Sequence, residues 1–268
     1  MIRFTSNEPI SIEAARNIAP AIFSDQKDIK MSEEYVQLPT HKVVEKMEAE
    51  GFRMFSIQQT RPSKRNINTA KHMIRFRHDS LKPLLTEVGK EFFEILLVNS
   101  HNGSSCFNLY TGIFRLVCLN GMVVSKMNVD FEKYRHSNVT IDNIIDASYR
   151  VINNYEKVTE LKRSWEAIEL TNWQKNALAE AAIHIKYEDR YTPFKPADFL
   201  QVMREEDNKN DLWTVFNVIQ EHLINGQMST RNSRGRLIST RGINNIGQNI
   251  SFNQRLWDEA NKFATIDI

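Results

Sequence analysis

Phe92-Phe93-Glu94-Ile95-Leu96-Leu97-Val98-Asn99 is followed, after Ser100 and His101, by Asn102-Gly103, and the chain then returns through Ser105–Tyr110. A third apolar run, Ile113–Leu119, leads into a second Asn-Gly pair, Asn120-Gly121, and on to Met122–Lys126. Asn-Gly is the pair that a tight type I′ turn prefers, because both central residues need φ > 0. Two such pairs between β-rich runs predict an antiparallel meander.

Working outward, Phe52–Thr60 alternates apolar and polar residues and reads as a strand, followed by a turn over Arg61-Pro62-Ser63-Lys64-Arg65-Asn66. Met73–Arg77 alternates Met73, Arg75 and Arg77 against Ile74 and Phe76, which on a strand puts the arginines on one face and the apolar residues on the other. Before it, Thr40 reads as the cap of a helix carrying Val43, Val44 and Met47, ended by Gly51. Residues 1–38 show little pattern beyond a short helix around Ile12–Ile22.

Downstream the period changes. Ile141, Ile144, Ile145, Ser148, Ile152, Tyr155, Leu161 and Trp165 follow helical spacing and predict one helix of about seven turns capped by Thr140. Thr171-Asn172-Trp173-Gln174 has the form of a capping box and opens a helix to Tyr187. Pro196 suits the first turn of a short helix, Asp211 caps Leu212–Leu223, and Gly226 stops it. Gln227–Asn249 is polar, rich in Arg and Asn, and reads as a long loop before a terminal helix over Phe252–Phe263. Within it Ser229-Thr230-Arg231 recurs as Ser239-Thr240-Arg241, too short to count as a structural repeat. The sum is an α+β fold: an antiparallel sheet over about residues 50–130, packed against a long helix and followed by a helical C-terminal half. One composite domain over 1–268 is expected, with a soft boundary near 137.

Composition narrows the function classes. The 268 residues are 41% hydrophobic and 25% charged, ordinary for a globular protein able to bury a core. The longest apolar runs, such as Phe92–Val98, fall far short of the roughly 20 residues of a membrane-spanning helix. The first residues lack the basic and apolar regions of a secretory signal. Cys106 and Cys118 fall in strand-like segments and suit buried thiols of a reducing compartment. A soluble protein of the bacterial cytoplasm is expected. The net charge of +2 hides two cationic stretches. One holds Arg61, Lys64, Arg65, Lys71, Arg75 and Arg77; the other holds Arg231, Arg234, Arg236, Arg241 and Arg255, with no carboxylate from His222 to Trp257. Such stretches are the usual footprint of phosphate-backbone binding, or else solvated loops.

Asn99-Ser100-His101-Asn102-Gly103 and Gly112-Ile113-Phe114-Arg115-Leu116-Val117-Cys118-Leu119-Asn120-Gly121 resemble the signature of a phage- and plasmid-borne family, domain of unknown function 932. Lys71–Arg77 is similar to its basic strand, Asp211–Glu221 to its tryptophan helix, and Asn253-Gln254-Arg255-Leu256-Trp257 to its closing motif. Asn102 stands where the family pattern has Asp, and both residues tolerate the turn. The resemblance runs from about residue 30 to the end. It implies an origin in mobile elements, whose accessory proteins handle DNA or blunt host defences.

The chemistry-bearing residues do not assemble into a familiar catalytic pattern. Cys118 and His101 could pair, but Cys118 sits in an apolar run, whereas a reactive thiol needs exposure and a lowered pKa. Neither a nucleophile elbow nor a phosphate-cradling Gly-rich loop is present. His72 and His78 beside Asp79, with Glu87, Glu91 and Glu94, leave a metal-dependent nuclease open as a lesser alternative, in no recognisable ligand spacing. No cofactor and no metal are expected.

Binding without chemistry needs only Lys and Arg for phosphates and aromatic faces for bases. Arg75 and Arg77 lead the candidates, flanked by Arg61, Lys64, Arg65 and Lys71. Phe76, on the opposite face, is core. Arg115 follows Phe114 on a neighbouring run, and Arg231, Arg234, Arg236 and Arg241 could close as a clamp. A basic antiparallel sheet backed by a helix is similar in layout to the single-strand annealing proteins of phages. The leading expectation is a homo-oligomeric single-stranded DNA binding or annealing protein. The alternative is an interaction protein that takes a host defence or replication factor as partner.

Overall fold

The computed structural model describes residues 1–61, 66–84, 91–115, 121–123, 132–134, 140–188, 190, 192–231 and 234–265. The chain forms two compact units, Met1–Tyr155 and Glu156–Ile268. None of its helices, among the described residues, is long and apolar enough to cross a membrane.

The N-terminal unit is built on one antiparallel sheet. Its strands are β1 (Ile2–Thr5), β2 (Phe52–Gln59), β3 (His72–His78), β4 (Glu91–Asn99), β5 (Phe107–Arg115), β6 (Gly121–Val123) and β7 (Glu132–Tyr134). They run in the order β1-β2-β3-β4-β5-β6, with β7 also paired to β5. The helices are α1 (Ile12–Ile18), α2 (Thr40–Ala49) and α3 (Ile141–Asn153). The even-numbered residues of β3, from His72 to His78, face α2 and α3: His72 meets Thr40, and His78 packs with Phe52 and Tyr149. Val43, Val44 and Met47 of α2, with Ile144, Ala147 and Val151 of α3, are fully buried there.

The other face of the central strands is buried too, and it is charged. Arg75 and Arg77 are 2% and 7% exposed, and Glu94 on the neighbouring strand is 0% exposed. The Nε of Arg75 donates to Glu94 Oε2, and the Nε of Arg77 donates to Oε1 at 2.7 Å. The Arg77 guanidinium also lies between two rings, 4.0 Å from the centre of Phe55 and 3.6 Å from that of Phe92. Burial pulls that guanidinium below its usual range, and Glu94 opposes the shift.

Four sequence expectations change. Thr40 is not a cap: Pro39 holds that position, and Thr40 begins the helix. Its hydroxyl is drawn instead into a buried cluster, 2.9 Å from His72 Nε2 and accepting Asn99 Nδ2 at 2.9 Å. Asn102-Gly103 is not a two-residue turn, because β4 ends at Asn99 and β5 starts at Phe107. The ladder opens there since His101 is bonded elsewhere, its N–H to Thr69 O and its carbonyl to the N–H of Asp28. Gly103 still needs its glycine, at φ +72°. Asn120 of the second pair and Cys118 fall in residues 116–120, outside the described residues, while Gly121 opens β6. The predicted seven-turn helix is two: α3 ends at Asn153, and α4 (Tyr155–Glu166) begins after Asn154. The Asn154 side chain turns back to donate to Arg150 O at 3.2 Å, the local competition for backbone that Asn brings.

The C-terminal unit contains α5 (Asn172–Tyr187), α6 (Leu212–Asn225), a two-stranded sheet of β8 (Gly226–Arg231) and β9 (Leu237–Arg241), and α7 (Ile246–Thr265). The fourth change lies here, since the expected loop is a β-hairpin. The two Ser-Thr-Arg triplets are its strands, with Ser229 opposite Ser239 and their hydroxyls 2.8 Å apart. Thr171 and Gln174 form the predicted capping box, and Asp211 accepts from the N–H of Thr214 at 2.8 Å. α6 is buried almost all round, as its continuous apolar run requires. Trp165 stacks on Trp257 with ring centres 4.2 Å apart, and Phe216 meets Trp165 edge-on at 5.5 Å. Each such ring pair adds about 0.5–1.5 kcal/mol beyond the area it buries.

The charged sheet face gives a direct test. Glu94→Ala leaves two buried guanidiniums without their carboxylate and should cost about 3–5 kcal/mol. A triple variant, Arg75→Met, Arg77→Met and Glu94→Leu, should recover most of that loss, because apolar replacement of a whole buried ion cluster is tolerated. Urea denaturation measures both; a Glu94→Ala chain as stable as the parent would show that the triad holds nothing.

Candidate nucleic-acid interface

The cationic residues picked out from the sequence separate into three settings. Arg75 and Arg77 are held inside the sheet by Glu94. Lys71 is half-buried, and burial lowers its ammonium, while Arg61 is exposed. Lys64 and Arg65 lie outside the described residues; Arg115 pairs through its backbone with Glu91, and its side chain is likewise not described. Arg231, Arg234, Arg236 and Arg241 are all exposed, and they lie on one hairpin.

Strand alternation produces that hairpin surface. Thr230 and Ile238 are half-buried and Thr240 is buried, forming the inner face. Ser229, Arg231, Leu237, Ser239 and Arg241 point the other way and are exposed, with Leu237 67% open. Gly235 turns the chain at φ +69°, and Arg231 Nη1 donates to its carbonyl at 2.8 Å. Arg234 and Arg236 extend from this turn. The repeated triplet therefore places arginines at both ends of one exposed ridge.

The hairpin base is fixed to α6 by backbone approach. Gly226 has φ +70°, and a Cβ there would lie 2.6 Å from the Gly242 nitrogen. A Cβ on Gly242 would lie 2.6 Å from Asn225 O. Lys186, in the last turn of α5, donates to Leu223 O at 2.6 Å and to Arg241 O at 2.7 Å. One ammonium thus joins the C-terminal end of α6 to the end of β9, where helix carbonyls favour a cation. Burial pulls this ammonium down to about 8.

Below the hairpin lies a cleft of about 670 Å³ in the same unit, with Lys186, Arg190, Arg241 and Arg255 on its walls. Of these only Arg241 is among the binding residues that the sequence suggests. Arg255 was noted in the cationic stretch, whereas Lys186 and Arg190 carry no local signal, since only tertiary pairing brings them to the hairpin.

The described residues raised for metal chemistry are occupied otherwise; Glu87 and the Glu91 side chain lie outside the described residues. His72 is buried against Thr40 and the Ala70 carbonyl; His78, at the far end of β3, meets Ser80 and Glu50 O. Asp79 pairs with Arg53 at 2.8 Å. Among the described residues no group of three or more His, Cys, Asp or Glu could hold a metal ion. Cys106 is a free, half-buried thiol.

A family model described as "Domain of unknown function (DUF932)" matches residues 30–257, from where the resemblance begins through its closing motif at Trp257. The chain is 32% identical over 262 residues to UPF0380 protein YfjQ of Escherichia coli (strain K12), covering 97% of this chain and 93% of that protein. It is 32% identical over 264 residues to UPF0380 protein YafZ of the same organism, with the same coverage. No solved structure matches.

The Lys186 anchor predicts a pH dependence. An unfolded lysine keeps its proton to about 10.4. Between about 8 and that value the unfolded chain binds one more proton than the folded chain, so the free energy of unfolding rises with pH. For a partly solvated group the gain should be on the order of 1 kcal/mol after screening. Urea midpoints measured across this window should rise less in Lys186→Met than in the parent chain, the difference being the Lys186 contribution.

Proposed function

The chain belongs to the domain of unknown function 932 family, and from the interface described above we propose that it binds nucleic acid, single-stranded DNA in the first place, without catalysing a reaction on it. The observation that carries this reading is the exposed hairpin with Arg231, Arg234, Arg236 and Arg241, in a stretch free of carboxylates from His222 to Trp257. Guanidiniums spaced along a ridge suit successive phosphates, and their fork geometry suits phosphate oxygens. A flexible single strand can bring its phosphates to a short ridge one after another, and its unpaired bases can reach the cleft beneath. A duplex keeps its bases stacked away from such a cleft. The carboxylate-paired Arg75 and Arg77 take no part in this contact; they support the sheet. A role in recombination or replication on a mobile element, through strand binding or annealing, is the biological setting this reading fits.

Fluorescence anisotropy with a labelled single-stranded oligonucleotide and its duplex, titrated from low to physiological salt, tests the proposal. Single-strand affinity should exceed duplex affinity and fall steeply with salt. Each lost phosphate contact lowers the log–log salt slope by about 0.7 for single strands, so Arg231→Gln/Arg236→Gln should reduce it by about 1.4. Absence of binding at low salt would remove the reading and favour a host protein as the hairpin's partner.

A further inference from the structure

The cleft beneath the hairpin differs in kind from the ridge above it. Lys186, Arg190, Arg241 and Arg255 line it against one carboxylate, Glu188, among the described lining residues. Its volume of about 670 Å³ is that of a small-molecule site. Apolar and aromatic groups share the lining: Ile185, Phe194 and Phe252 are buried, and Tyr187 is half-buried with the Lys186 ammonium 5.2 Å from its ring centre. Gly247 and Gln248, in the first turn of α7, also line it. The N-terminal end of so long a helix adds partial positive charge to that of the side chains.

Glu188 adds an independent observation. It has φ +53° and ψ −132°, and among the described residues it is the one non-glycine with positive φ. Its N–H closes α5 on His184 O at 2.8 Å. A non-glycine held in that region costs on the order of 1–3 kcal/mol, and such positions cluster at ligand sites.

We propose that this cleft binds a nucleoside monophosphate, with the phosphate among Arg190, Arg241, Arg255 and the first turn of α7, and the base against Tyr187, Phe194 and Phe252. The combination selects this ligand class. Inorganic phosphate would leave the apolar lining uncovered, and a neutral nucleoside would leave the cations unmatched. The nucleotide can be free or can be the phosphorylated end of a strand. The inference goes beyond the strand reading, because Arg231, Arg234 and Arg236 do not line the cleft and a free nucleotide needs none of them.

Isothermal titration of the full chain with deoxyadenosine 5′-monophosphate, deoxyadenosine and inorganic phosphate provides the test. The monophosphate should bind at one site, at least about tenfold more tightly than either fragment, about 1.4 kcal/mol. Arg190→Gln/Arg255→Gln should weaken it at least about tenfold, as loss of two charge-assisted contacts requires. Arg163→Gln, on α4 and outside the cleft, serves as the control. Glu188→Gly should tighten binding while raising the melting temperature, since it removes the opposing charge and the strained backbone together. That gain keeps the proposal testable if the double variant folds poorly. The hairpin variant Arg231→Gln/Arg236→Gln separates the two readings: it should lose strand affinity and retain the monophosphate. No monophosphate binding, or binding unaffected in both cleft variants, overturns the proposal even if the strand is bound. With the site established, tighter binding of a 5′-phosphorylated than a 5′-hydroxyl oligonucleotide identifies the strand end as its source; equal binding identifies the free nucleotide.

Discussion

Two guanidiniums and one carboxylate sit buried on the same side of β3 and β4, and the sheet is organised around them. A charge is costly to bury, so Glu94 in a run of phenylalanine, isoleucine and leucine needs partners on the next strand. Arg75 and Arg77 meet it because their alternation on β3 matches the β3–β4 register, in which Arg75 lies opposite Leu96 and Phe76 opposite Ile95. A slip of one residue would turn both arginines toward α2 and α3 and the apolar residues away from them. The triad therefore specifies register, whatever its net contribution to stability. The basic residues thus divide by environment, those on β3 buried against Glu94 and those on the hairpin exposed.

The C-terminal unit meets the opposite requirement: cationic groups kept exposed yet fixed in position. Three contacts set the base of the hairpin: the close approach of Gly226 and Gly242, the Lys186 bridge, and the N–H of Ile243 on Ile224 O at 2.8 Å. The ridge is thus anchored to α6, the most buried helix of the unit, and its arginines project from a rigid support. Below it, Arg204 bonds both oxygens of Glu221 and also Asp207, so that stretch of α6 and the preceding loop are bound together as well.

Much of this architecture was legible in the residues. Period-two alternation located β2 and β3, the apolar run located β4, and capping residues Thr171, Gln174 and Asp211 placed the starts of α5 and α6. The failures have physical causes. An Arg–Ile alternation looks the same whether its polar face meets water or a carboxylate on another strand; the only local hint was Glu94, a lone charge in an apolar run. Helical spacing continues across Asn154, so the break between α3 and α4 is invisible to periodicity and rests on one amide turning back on the helix. The hairpin was hidden because its strands lack the usual apolar face, although the repeated Ser-Thr-Arg supplies the one like pair across it, Ser229 opposite Ser239. The cleft was not legible at all, since Lys186 and Arg190 are distant in sequence from Arg241 and Arg255.

The aromatic cluster around Trp165 and Trp257 has an optical consequence. All four tryptophans of the chain, at 165, 173, 213 and 257, fall in the C-terminal unit. Intrinsic indole emission therefore reports that unit alone, while the sheet-bearing unit is silent except through tyrosine. Trp173 is 76% exposed and emits as a solvated indole, whereas the stacked pair at 4.2 Å is close enough for its electronic transitions to mix. The chain thus carries a built-in chromophore pair for one half of the molecule, readable without any label.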